Sequence, residues 1–84
     1  MSEVTIKTEL NRMLDKVRYE MLYLEQREAD WKASAEDAAR LDGVGSIEHV
    51  RCSAKYYTFS ASADTMRGIV ADVESLIETG ELSR

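Results

Sequence analysis

The feature that most constrains this chain is the stride of its apolar residues. Leu10, Leu14, Val17, Met21 and Leu24 step by 4, 3, 4, 3, and the same stride continued meets Glu28, Trp31, Ala35 and Ala38. Residues three and four apart share one side of an α-helix but fall on both faces of a strand. The pattern therefore selects helix over about four heptads, with one charged break at Glu28. Ile6 and Met13 broaden the stripe at its start, whereas Tyr19, Leu22 and Tyr23 lie off it and form a second one. The chain has no proline, so nothing forbids a long helix. Residues 3–41 are rich in Leu, Met, Glu, Lys, Arg, Gln and Ala, the better helix formers. Ser2 or Thr5 is the predicted N-cap. Glu28–Lys32 and Glu36–Arg40 are i,i+4 pairs in the favourable order. A lone helix of this kind owes its stability to whatever its apolar stripe packs against.

The stride ends at Leu41-Asp42-Gly43-Val44-Gly45-Ser46. Two glycines and an aspartate predict a helix end and a tight turn over 42–46, with Ser46 capping the next helix. In the following segment Ile47, Val50, Ala54 and Tyr57 step by 3, 4, 3, which predicts helix with Tyr57 turned inward. Lys55-Tyr56-Tyr57-Thr58-Phe59 has strand propensity, but no second strand exists to pair with it, so helix is preferred. Ala63, Met66, Val70, Val73 and Ile77 then give a clear stripe flanked by Ile69 and Leu76. Ser60 or Ser62 would cap this stretch if the chain broke near Phe59, and Gly80 fits a helix C-terminus. Gly68 inside it costs about 1 kcal/mol against alanine, which suggests a close helix approach or nothing at all.

These elements predict an all-α antiparallel hairpin in a single domain, 1–84: a long helix over about 3–41, a turn at 42–46 and a second helix over about 47–79, with a break near 58–62 admitted. Two such helices form a rod without an enclosed core. The second stripe (Tyr19, Leu22, Tyr23, with Ile69 and Leu76) is expected to remain exposed and to mark an interface. A homodimer forming a four-helix bundle is the economical arrangement. A three-helix monomer is the alternative.

Composition narrows the function classes. With 84 residues the core is thin. One cysteine and one histidine exclude a disulfide scaffold and leave too few ligands for a metal site. The single cysteine fits a reducing compartment, so the cytoplasm is expected. No run of about 18 apolar residues predicts a membrane span, and residues 1–10 lack the apolar run of a signal peptide. A net charge of −5, spread over both halves, argues against direct nucleic-acid binding.

Candidate chemistry is sparse. His49 and Cys52 have the spacing of a nucleophile–base pair or of two metal ligands, but a helical rod offers no cleft to exclude water. They read as a partly exposed histidine and a buried thiol. Asp64, Asp72, Glu74 and Glu78 read as solvated surface charge. No catalytic residue, metal ligand or cofactor site is therefore expected, and the chain is predicted not to be an enzyme. His49, Arg51, Lys55, Tyr56 and Tyr57 form the one region where basic charge locally exceeds acidic charge. Cations beside aromatic rings can grip a phosphate and stack a base, so Arg51, Lys55, Tyr56 and Tyr57 are the candidate ligand-binding residues. Val17, Tyr19, Met21, Leu22, Tyr23, Leu24, Trp31, Ile69 and Leu76 are the candidate partner or dimer interface, with intramolecular core as the competing role for Trp31.

In size and charge the chain is similar to the small acidic helical accessory proteins that bacteriophages encode to bind and block a host protein, although no motif carries that likeness. The expected function is a non-enzymatic protein–protein interaction module, a small acidic binder or inhibitor of a protein with a basic surface. The alternative is a nucleotide- or phosphate-binding helical oligomer that uses the Arg51–Tyr57 patch.

Overall fold

The computed structural model describes residues 3–79. Helix α1 spans Glu3–Asp42 and α2 spans Ile47–Thr79, and the two pack against each other as a hairpin. A helix of 40 residues should run about 60 Å, and the molecule measures 59 × 22 × 14 Å. It is a rod two helices wide, and among the described residues there is no strand.

The turn is built by backbone geometry. Gly43 and Gly45 adopt φ of +98° and +85°, the left-handed region that side chains disfavour. Ser46 N–H donates to Gly43 O at 3.1 Å. Ser46 then caps α2: its Oγ accepts from His49 N–H at 3.2 Å, while its carbonyl accepts from Val50 N–H at 2.9 Å. The predicted Ser46 cap is thus observed. The His49 ring reaches back, and its Nδ1 accepts from Gly45 N–H at 2.9 Å. The cap satisfies the His49 N–H, one of the donors that a helix start leaves open, and the ring satisfies the Gly45 N–H of the turn. At the other end Thr5 lies inside α1, while Ser2 and Gly80 fall outside the described residues.

The α1 stripe behaves as its spacing predicts. Leu14, Ala35 and Ala38 are buried, and Leu10, Val17, Met21, Leu24, Glu28 and Trp31 are half-buried. Two apolar clusters form along the seam. Leu14, Val70 and Val73 gather Val17, Met21 and Ile77 towards the open end. Ala35, Ala38 and Cys52 gather Trp31 near the turn. Between them Ala63 is fully buried, and the Arg27 guanidinium lies over the Phe59 ring at 5.7 Å.

Two expectations for α2 need correction. The helix runs unbroken through 58–62, so Ser60 and Ser62 are not caps and the three-helix monomer does not form. Thr58, in the segment with strand propensity, donates its hydroxyl to Ala54 O at 3.0 Å and so stays within the helix. The inward stripe is also not Ile47, Val50, Ala54 and Tyr57. All four are exposed, Ile47 at 86% and Tyr57 at 69%. His49, Cys52, Tyr56 and Phe59 take the inner face instead. They continue the Ala63–Ile77 stripe backwards at the same 3, 4 stride, so α2 carries one seam in a single phase. Gly68 makes no close approach: a Cβ there would meet nothing within 4 Å.

Candidate functional site

Taking Leu14 and Met21 as heptad position a and Val17 and Leu24 as d gives α1 its register. In α2, His49, Tyr56, Ala63, Val70 and Ile77 occupy a, and Cys52, Phe59, Met66 and Val73 occupy d. The e and g positions then form the two flanks of the rod, e beside e and g beside g in an antiparallel pair.

The two flanks differ in chemistry. On the e flank, Arg18 bonds Glu74 at 2.9 Å and Arg67 bonds Glu25 at 2.8 Å, both crossing between the helices. Arg67 also bonds Asp64. The bond to Asp64, followed by that to Glu25, raises the Arg67 pKa above its ordinary value, so this guanidinium is cationic at every working pH. On the g flank, no interhelical ion pair forms among the described residues. Towards the open end it carries Ile6, Met13, Ile69 and Leu76, the first three exposed and Leu76 half-buried, and then the exposed Glu20. Ile6 and Leu76 line one groove with Leu10.

A second apolar surface lies at the turn end. Val44, His49, Val50, Ala54 and Tyr57 line a shallow groove of about 400 Å³, and Ile47 is exposed at the start of the same helix. Tyr57, expected to turn inward, belongs to this outer surface. Phase was the signal that could have found it, because Ile47, Val50, Ala54 and Tyr57 fall outside the stride that runs through Ala63 and Val70.

The candidate interface residues divide into two groups. Val17, Met21, Leu24 and Trp31 belong to the seam between the helices, Trp31 against Ala35, Ala38 and Cys52. Tyr19, Leu22, Tyr23 and Ile69 are exposed, and Leu76 is half-buried. The candidate ligand-binding residues do not converge on one cavity. Tyr56 is half-buried on the seam and Tyr57 points outward, with their rings 5.2 Å apart. Arg51 is engaged by Glu48 at 2.9 Å, and of the four only Tyr57 lines the turn-end groove.

Arg27 Nε and Trp31 Nε1 are buried without a hydrogen-bond partner. Cys52 is a buried free thiol and His49 serves the turn. Among the described residues no three His, Cys, Asp or Glu side chains gather as a metal site would require. Arg40 pairs with Asp37 at 2.8 Å rather than with Glu36, and no Glu28–Lys32 pair is among the ion pairs of the described residues. No described helix is long and apolar enough to cross a membrane. No protein-family model matches the chain, and neither a curated protein nor a solved structure matches it.

Proposed function

We propose that this chain is a non-enzymatic protein–protein interaction module. It is an acidic helical hairpin that self-associates into a four-helix bundle and covers a surface of another protein with its turn-end patch. One observation carries this reading: Val44, Val50 and Tyr57, 57–84% exposed, line one groove at the turn end of the rod, and Ile47 at the start of α2 is 86% exposed. An apolar surface of this kind on a small protein marks a contact site. A net charge of −5 favours a partner with a basic surface, and occupying that surface makes the module an inhibitor of whatever else binds there. The cytoplasm is its place of action, where a lone thiol remains reduced.

The test is affinity capture with the immobilised chain beside an Ile47→Glu/Tyr57→Glu variant of equal helicity. The expected result is a basic protein retained by the parent chain and lost from the variant. Identical retention by the two chains would refute the turn-end patch as the contact surface.

A further inference from the structure

We propose that the apolar g flank is covered by a second copy of this chain, related by a twofold axis along the rod so that both turns lie at the same end. This deepens the self-association reading above and rests on it. Three observations identify the occupant.

The first is area. The chain exposes 6186 Å², whereas a compact monomer of this mass exposes about 5,000 Å². The excess is larger than the roughly 800 Å² that a standard interface removes from each partner. The buried core is correspondingly small, seven residues of which three are Ala and one is Cys.

The second is the asymmetry of the flanks. Ion pairs Arg18–Glu74 and Arg67–Glu25 close the e flank. Ile6, Met13, Ile69 and Leu76 leave the g flank open and apolar towards the open end, with the exposed Glu20 as the charged g residue that bounds this patch. Helices of a four-helix bundle carry this pattern, a seam widened on one side only.

The third is charge complementarity. Leu14 packs with Val70 and Val73, and Ala38 with Cys52, which fixes the level of each residue along the rod. Lys16 is then level with Asp72, and Asp37 with Arg51, one on each outer edge of the g flank. A twofold along the rod lays α1 of one copy antiparallel on α2 of the other. Lys16 meets the second copy's Asp72, Asp37 meets its Arg51, and Met13 meets its Leu76. Each contact occurs twice, as an isologous interface demands. Within one chain Asp37 and Arg51 bond Arg40 and Glu48, both exposed pairs free to exchange partners. A twofold across the rod would instead set Lys16 near Lys16 and α1 on α1.

The experiment is light scattering on a sizing column, with circular dichroism of the same peak. The parent chain is expected at twice its 9.5 kDa. Met13→Glu/Ile69→Glu is expected to remain helical and to raise the dimer dissociation constant on the order of a hundredfold, because it places unpaired charge in the interface. Tyr57→Glu, off this flank, leaves the mass unchanged. Lys16→Glu weakens the dimer, and Lys16→Glu/Asp72→Lys restores it. This swap tests the geometry even if the double glutamate variant unfolds. A monomeric parent would overturn the self-association reading itself. A dimeric parent that keeps its mass as Met13→Glu/Ile69→Glu would overturn only the face, and failure of the charge swap to restore association would overturn the axis.

Discussion

The same substitution, glycine to alanine, should have opposite signs at different points of this hairpin. At position 68 the glycine lies in the interior of α2, exposed, with nothing within 4 Å of a would-be Cβ. Alanine there loses no contact and meets no clash, and it restricts the unfolded chain. The gain is the helix-propensity difference, about 1 kcal/mol. For a domain of this size that corresponds to a rise in Tm of roughly 4–8 °C. At positions 43 and 45 the surroundings are equally open, but φ is +98° and +85°. A Cβ in the left-handed region costs roughly 1–2 kcal/mol, offset in part by the same unfolded-state restriction, so a net loss of about 1 kcal/mol is expected. Space is equal at all three sites, so only the backbone angle separates them. The assay is thermal melting followed at the helical circular-dichroism band. All variants are compared at one chain concentration, because association makes Tm concentration-dependent. If Gly68→Ala melted at or below the parent temperature, the outer face of α2 would be covered in solution. The assignment of that face as solvent-facing would then be wrong.

Other substitutions test the phase and the polar contacts. Leu14→Ala removes the largest buried side chain of the open-end cluster and should cost about 2–5 kcal/mol in chemical denaturation. Tyr57→Ala, on the exposed face, should change stability by no more than about 0.5 kcal/mol, and a larger loss would restore the inward reading of that stripe. Ser46→Ala deletes the oxygen that accepts from His49 N–H and should lower stability by about 1 kcal/mol in the same assay. A double-mutant cycle on Arg18 and Glu74, half-exposed and 2.9 Å apart, should return a coupling below about 1 kcal/mol that shrinks as salt is added.

Much of the architecture was legible because its cause is local. The α1 stripe holds one phase from Leu10 to Ala38, and the half-buried Glu28 interrupts it without ending it. Gly43, Gly45 and Ser46 specify the turn through backbone angles and a cap, which sequence displays directly. Residues 46–60 were read correctly as helix, but their inner face was misassigned because two stripes there have the same stride. Ile47, Val50, Ala54 and Tyr57 are on balance more apolar than His49, Cys52, Tyr56 and Phe59, so hydrophobicity alone favours the wrong one. The inner face is decided by continuity with Ala63, Val70 and Val73, a property of the whole helix rather than of a window. The ligand-binding set failed to converge for the same reason. The phase that turns Tyr56 to the seam turns Tyr57 away from it, while Glu48 engages Arg51.

The two-glycine turn also governs the order in which this molecule can assemble. Ala38 and Cys52 meet across a short loop, whereas Leu14 and Val73 are separated by most of the chain. Closing the short loop first costs the least chain entropy, and each pair beyond it then closes only a small additional loop. The hairpin is in effect a zipper whose slider starts at Gly43–Ser46. Contacts near the turn form early, and those at the open end form last and release first. A rod of this topology opens first at the end away from its turn even when its seam is uniformly packed.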